Sequence, residues 1–443
     1  MERTYIENLS SKIGERVSIS GWVSVRRDQG KMVFFDFRDM TGTVQGVVLP
    51  NEVEAIAKAK EIKTEYVVRI EGVVNKRPEK NVQADKQNGD IELEIKTIET
   101  LSEALDLPFE LGTDINLDTY LDYMPYTLRA EKSRAVFKMQ ATLIEGFREG
   151  LRKQGFTEFQ APALVGADAE GGAASFKVDY YYDQKAYLAT SPQLYKQIMV
   201  GALERAFATP KIFRGEKHAT TRHLSEYSSL DFEMGFIKDH TDVMAALEST
   251  VRHMVAEVTE KHPGIYEQFG TTAPLLPEKI PVLKLREAQE IIEKEFAGKA
   301  VGEPDLEPEH ERQLCEWSAK EQGSDFLFVS HYPVSKRPFY TYEDESDPGF
   351  TKSFDLLFRG LEITTGGQRV HDYNLLIEKA KAKGLDPELF SYYLQAFKYG
   401  MPPHGGSATG LERLTARLLN LANVKEATLF PRDINRIDKL LSQ

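Results

Sequence analysis

Hydrophobic and polar residues alternate through residues 15–100 of the chain. The runs RVSISGWVSVRR, MVFFDFRD, TVQGVVL, YVVRIEGVVN and IELEIKTIETL carry β-branched residues at a period of two, which predicts five strands. Gly21, Gly42, Gly72 and the pair Asn88-Gly89 are expected to mark breaks or turns. Between the third and fourth runs, EVEAIAKAKEI has the period of a helix. In the second run, alternation puts Phe35 and Phe37 on one face and Phe34 on the other.

Five short strands with a helix after the third suit an OB-fold barrel, over residues 1–103. Most aromatics of such a barrel are core; one on the outer face is a platform on which single-stranded bases stack. Residues 104–130 have few periodic features and read as a hinge or linker. Residues 131–443 form the second expected domain, opening on the amphipathic helix EKSRAVFKMQATLIEGFREGLRKQG with Gly155 as its C-cap. The run TEFQAPALV is a strand interrupted by Pro162, and a proline that cannot donate to the ladder belongs at an edge or interface. Helices follow at HTDVMAALESTVRHMVAEVTEKH, starting at Thr241 or Asp242, and at LKLREAQEIIEKEF. The expected class is α+β, a barrel followed by an antiparallel sheet flanked by helices.

Composition narrows the function. The chain has 443 residues, 41% hydrophobic and 28% charged, ordinary for a globular protein of two or three domains. No apolar run is long enough to span a bilayer. The first residues, MERTYIENLSSKIGERV, have no apolar core of a secretory signal, so a cytoplasmic location is expected. Cys315 is the single cysteine, which excludes an internal disulfide and a thiolate-rich zinc site and is read as an inert helix residue. The net charge of −13 argues against a generally basic nucleic-acid binder, yet Arg26, Arg27, Lys31 and Arg38 lie close together near the N-terminus.

Chemistry concentrates in residues 213–236, FRGEKHATTRHLSEYSSLDFEMGF. A strand carrying Arg214 and Glu216 leads into a basic loop with Arg222 and His223, then into an alternating strand with Glu226, Asp231 and Glu233. Arginine presents a planar fork of donors matched to phosphate oxygens, so two strands around this loop can hold a polyphosphate. In KSFDLLFRGLEITTGGQRV, a two-residue turn at Arg359-Gly360 places Leu357 opposite Glu362. Asp355 shares the face of Leu357, so Asp355 and Glu362 point the same way. Converging carboxylates beside phosphates can hold Mg²⁺, a hard ion that favours oxygen. The alternative is two solvated acids.

The order of Arg214, Glu216, Arg222, His223, Asp231 and Glu233 resembles motif 2 of the class II aminoacyl-tRNA synthetases. The proline-interrupted strand after the long helix resembles motif 1, the dimer interface of that family. Gly410 to Arg413, GLER before an apolar run, resembles motif 3, with Ala408 standing where the family usually has glycine. With the acidic hairpin, the order is that of subclass IIb and covers nearly the whole chain. AEGGAASF, ATSPQLYKQIM and RGLEITTGGQRVHDY resemble the aspartyl branch, and the chain is similar to its shorter archaeal and eukaryotic form.

The resemblance implies a class II antiparallel sheet, an ATP and Mg²⁺ requirement, L-aspartate and tRNA-Asp as substrates with tRNA-Asn as a further candidate, and a homodimer. It assigns Arg214, Glu216 and Arg413 to catalysis. ATP is assigned Arg214, Gly215, Glu216, Arg222, His223, Leu224, Tyr227, Glu362, Gly410, Leu411, Glu412 and Arg413. Aspartate is assigned Glu170, Gln193, Lys196, Arg214, Asp231, Thr365 and Arg369. Asp355, Glu362 and Thr365 are the metal set. Phe34, Gln45, Arg26 and Gln87 are the anticodon set. The rival readings are an asparaginyl enzyme and an inert RNA-binding paralogue; Lys196 and Arg369, cations suited to a carboxylate side chain, oppose the first, and the retained Arg214, Glu362 and Arg413 oppose the second.

Overall fold

The computed structural model describes residues 1–166, 174–217 and 220–437. The chain divides into two compact units, Met1–Glu110 and Leu111–Gln443.

The first unit is a closed five-stranded barrel in the order β1-β2-β3-β5-β4. Its strands are β1 (Arg16–Asp28), β2 (Val33–Arg38), β3 (Thr43–Val48), β4 (Val67–Lys76) and β5 (Ile91–Ser102), with helix α1 (Val53–Glu61) after β3. Inward positions such as Ile19, Phe35, Phe37, Ile70 and Leu93 form its core. Gly21 and Gly72 lie inside strands rather than at turns, Gly72 at a break where the β4–β5 register shifts. A Cβ on Gly21 would sit 2.2 Å from the Arg38 carbonyl oxygen, and one on Gly72 would sit 2.5 Å from that of Glu94. Both are glycines because the neighbouring strand passes too close for a side chain. The pair Asn88-Gly89 does form a turn, with Asn88 at φ +54°.

The second unit opens on α2 (Leu117–Asp122) and α3 (Met124–Thr127), in the stretch expected to be a featureless linker. Each is too short to show a period; Asn116 caps α2 by accepting from the Thr119 amide at 2.9 Å. Next come α4 (Glu131–Lys153), β6 (Thr157–Glu158), β7 (Leu164–Val165), β8 (Lys177–Asp179), β9 (Lys185–Leu188), α5 (Gln193–Leu203), β10 (Arg205–Ala208), β11 (Lys211–Phe213) and β12 (Glu226–Gly235). Then follow α6 (His240–Lys261), α7 (Ile265–Gln268), β13 (Val282–Lys284), α8 (Leu285–Phe296), α9 (Pro308–Gln322), β14 (Phe326–Ser330), β15 (Ser353–Phe358) and β16 (Leu361–Arg369). The last are α10 (Tyr373–Ala382), α11 (Ser391–Lys398), β17 (His404–Gly410) and α12 (Leu411–Leu418). Helix α6 starts earlier than expected, because the Asp239 carboxylate caps it by accepting from the Thr241 amide at 2.8 Å.

Among the described residues the main sheet runs β13-β14-β15-β16-β17-β12-β10-β6, with β11 paired to β12. It is antiparallel in the middle; the outermost pairs, β13 with β14 and β10 with β6, are parallel. Pro162 separates β6, at the sheet's edge, from β7, which pairs β9 in a smaller sheet. Phe232, Phe328, Phe354, Leu356 and Phe358 turn one sheet face into a core with α4, α6 and α12. On the other face α8 and α9 cover the β13–β15 end, and α5, α10 and α11 lie towards the opposite end. The middle strands β16, β17 and β12 are left open between them, and this gap is the site.

Candidate active site

Strand alternation sorts β12 cleanly. Leu230, Phe232 and Met234 enter the core, so Ser229, Asp231 and Glu233 face the opposite way. The register aligns one row across four strands on that face: Asp355 opposite Thr365, Thr365 opposite Ala408, Ala408 opposite Asp231. Leu357 does pair with Glu362, and a bulge between that pair and Leu356 with Thr364 keeps both carboxylates on this face. One row further, Gly406 pairs Glu233; a Cβ there would lie 2.1 Å from the Phe232 carbonyl oxygen and 2.2 Å from a Glu233 carboxylate oxygen, so the close approach of β12 requires glycine.

Thr365 and Ala408 of this row line a cleft of about 410 Å³. Arg214, Glu216, Arg222, His223, Leu224 and Tyr227 of the β11–β12 hairpin line it, with Gln193 from α5. Glu362, Thr365, Arg369, Ala408, Gly410, Glu412 and Arg413 complete the other walls. Gly215 lies alongside, its amide donating to the Ala174 carbonyl at 2.6 Å. Leu411 is 1% exposed and packs into the core, so its side chain is not part of the cleft. The Glu412 carboxylate accepts from the Ser228 amide at 2.9 and 3.0 Å, clamping α12 to β12. Glu170 lies outside the described residues.

At one end of the cleft sits a buried network of four charges. Lys196 Nζ is 2.9 Å from Asp231 and 3.4 Å from Glu233, and Arg369 Nε donates to Glu233 at 2.9 Å. Gln193 bridges the last two, accepting from Arg369 at 3.4 Å and donating to Glu233 at 3.5 Å. Burial pushes the Glu233 carboxyl up, but Arg369, Lys196 and His404 outweigh it and hold the group below its ordinary value. Glu233 had no assigned role in the sequence; its alternation with Asp231 was the available signal.

At the other end, the Arg413 guanidinium donates to the Glu362 carbonyl at 3.0 Å and lies 3.7 Å from its carboxylate. Burial pushes Glu362 up; Arg413, the Thr365 hydroxyl at 2.9 Å, Arg337 and Arg222 together bring it below the usual range. Asp355 behaves oppositely. Burial raises it to about 6 despite Arg337, whose guanidinium donates to it at 2.8 Å, and Glu362 adds repulsion. Arg337 and Glu311, which accepts from Arg222 at 2.9 Å, have no counterpart in the sequence reading. Neither stands in a patterned segment that would single it out.

The barrel carries the other candidate set. Phe34 is half-buried on the outer face while Phe35 and Phe37 are core. Strand pairing puts Arg27, not Arg26, opposite Phe34. Arg26 pairs with the buried Phe35 position and donates to the Ala59 carbonyl at 3.0 Å, so it does not share Phe34's face. Arg38 is likewise withdrawn, paired to buried Glu65 at 2.6 Å. Gln45 lies beside Arg27 at 3.5 Å, and Gln87 braces the β2–β3 turn by accepting from the Thr43 amide at 3.3 Å.

Residues 116–434 match the family described as tRNA synthetases class II (D, K and N), and residues 17–101 match the OB-fold nucleic acid binding domain. The chain belongs to the class II tRNA synthetases. This synthetase is 46% identical to the aspartate–tRNA(Asp/Asn) ligase of Thermus thermophilus, over 98% of this chain and 99% of that one. It is 37% identical to the aspartate–tRNA(Asp) ligase of Thermoplasma acidophilum, over 99% of this chain and all of that one. Among solved structures it is similar to the asparaginyl-tRNA synthetase of Pyrococcus horikoshii complexed with asparaginyl-adenylate, with TM-score 0.90, 32% identity and 99% of each chain covered. It is also similar to the aspartyl tRNA synthetase of Entamoeba histolytica, with TM-score 0.87, 28% identity, 99% of this chain and 93% of that one. Solved structures named as aspartyl and as asparaginyl enzymes thus share this backbone.

Proposed function

We propose that this synthetase is an aspartate–tRNA ligase that activates L-aspartate with ATP and transfers it to tRNA-Asp. The observation that carries the reading is the four-charge network of Lys196, Arg369, Asp231 and Glu233. A substrate with both an ammonium and a side-chain carboxylate can enter it with every charge paired, the ammonium at Asp231 and the carboxylate at Lys196 and Arg369. Asparagine brings the ammonium without the side-chain carboxylate, so the network would hold one uncompensated positive charge, which is costly in a buried site.

In the proposed reaction an aspartate α-carboxylate oxygen attacks the α-phosphorus of ATP. The bond to the bridging oxygen breaks and pyrophosphate leaves. Arg214 spans the α-phosphate and the attacking carboxylate, Arg222, His223 and Arg413 hold the outer phosphates, and Glu216 faces the adenine amino group between Tyr227 and Arg413. Catalysis by such groups is positioning and charge stabilisation. A terminal ribose hydroxyl of the tRNA then attacks the aspartyl carbonyl and AMP departs.

Magnesium fits the acidic hairpin. The buried Asp355 Oδ1 has no hydrogen-bond partner, and Glu362 with its Thr365 brace faces the same side. These three residues would hold the ion, which when bound supplies positive charge against the phosphates. Because Arg337 already pairs Asp355, Glu362 is the principal ligand in this reading. A homodimer built on α4 and the Pro162 segment, and a cytoplasmic location, complete the proposal; no helix of the described residues is long and apolar enough to cross a membrane.

The likeness to the aspartate–tRNA(Asp/Asn) ligase of Thermus thermophilus supports tRNA-Asn as a second acceptor. Aminoacylation of purified tRNA-Asp and tRNA-Asn, each offered aspartate and asparagine, tests the whole reading. Aspartate on tRNA-Asp is the expected product; asparagine activation in its place overturns it.

A further inference from the structure

Glu311 stands in the first turn of α9, outside every motif that carries the synthetase chemistry. It is 4% exposed, yet both carboxylate oxygens are in use. Oε1 accepts from the Arg222 guanidinium at 2.9 Å, and Oε2 accepts from the Glu362 amide at 3.0 Å. One side chain thus joins the motif 2 loop to the start of the acidic hairpin's second strand, two elements that meet only through the fold.

We infer that Glu311 is a positioning residue for the ATP phosphates: it fixes Arg222 at the cleft wall, in register with Glu362, before nucleotide arrives. The inference rests on the reading that Arg222 contacts those phosphates. Three observations support it. Arg222 sits on a loop, and an arginine has several rotatable bonds whose freedom must be lost on binding; a buried carboxylate removes that freedom in advance. The guanidinium has five N–H donors and Glu311 engages one nitrogen, so the group can stay held and still meet a phosphate where it lines the cleft. Arg417, one turn beyond Arg413 on α12, repels Arg222, and Glu311 lies close enough to both to offset that repulsion.

Glu311→Gln keeps shape and volume but replaces one charged acceptor by an amide. It is expected to raise the KM for ATP about tenfold in aspartate-dependent ATP–pyrophosphate exchange, since charge-assisted hydrogen bonds are among the stronger ones. The kcat and the KM for aspartate should stay within about twofold, the pattern of lost uniform binding. A merely structural role is separated by a double-mutant cycle. In an Arg222→Ala background the further change Glu311→Gln should alter the ATP KM by less than about twofold. An unchanged ATP KM in Glu311→Gln overturns the inference, as does an equal rise in both backgrounds. Should the glutamine variant not fold, Glu311→Asp, which keeps the charge and shortens the reach, runs through the same cycle with the same expectations. Wild-type enzyme without exchange activity would remove the ATP-site reading itself, and this inference with it; wild-type exchange with an additive cycle overturns the inference alone.

Discussion

Lys196 and Asp231 face each other at 2.9 Å, with side chains 1% and 0% exposed. One comes from α5 and the other from β12, and each is expected to meet an opposite charge of the same substrate. Their mutual pairing matches each ion within the fold itself, so substrate binding exchanges partners rather than creating charge in a dry site.

The same logic governs Arg369 and Glu233. Arg369→Leu should raise the aspartate KM steeply while ATP binding is retained. It should also strand a buried carboxylate, lowering stability by about 3–5 kcal/mol. Adding Glu233→Gln should recover much of the stability without recovering aspartate binding. Thermal unfolding and aspartate-dependent exchange on the two variants check both halves; recovery of aspartate binding in the double variant would contradict the pocket assignment.

Arg214→Ala is expected to cut adenylate formation about 100- to 1,000-fold, the cost typical of losing one preorganised charge contact. Its backbone amide bond to the Ser225 carbonyl at 2.9 Å does not depend on the side chain, so the hairpin should persist. Pyrophosphate exchange is the readout, and near-normal exchange would discard the motif 2 assignment.

Phe34→Ala should weaken tRNA charging through loss of base stacking, worth roughly 1–3 kcal/mol per base. Exchange in the absence of tRNA should be unaffected. The half-buried outer position of Phe34 makes the variant safer for folding than changes at Phe35 or Phe37. If exchange falls along with charging, Phe34 serves the barrel core instead.

His240 makes stability pH-dependent. Burial lowers its pKa to about 4, with the neighbouring His331 adding repulsion. The unfolded chain takes up this proton near about 6.5. The contribution is therefore fully present above about pH 6.5 and is lost as pH falls through that value towards about 4, amounting to roughly 3 kcal/mol at most. Denaturant unfolding between these pH values should show a shallower decline in His240→Gln than in the wild type; parallel profiles would exclude this source.

Local chemistry explains what could be read in advance. Alternation in FFDF separates Phe34 from Phe35 and Phe37, and the two-residue turn at Arg359-Gly360 sets Leu357 against Glu362, because a strand's period and a tight hairpin's register are properties of adjacent residues. Arg26 shows where that reach ends. It and Arg27 are neighbours with opposite fates, and which of them joins Phe34 depends on the pairing of β1 with β2 and on a register shift after Val23.

The sequence alone determined the strands of the barrel, the long α4 helix, the polarity of the β12 faces and the residue types that could meet phosphate, metal and carboxylate. Only the tertiary structure decided which charges pair. Arg222 with Glu311, Arg337 with Asp355 and Lys196 with Asp231 are each contributed by separate elements. An ion pair depends on distances of a few ångströms and on removal from water, and those conditions exist only after helices and sheet have packed.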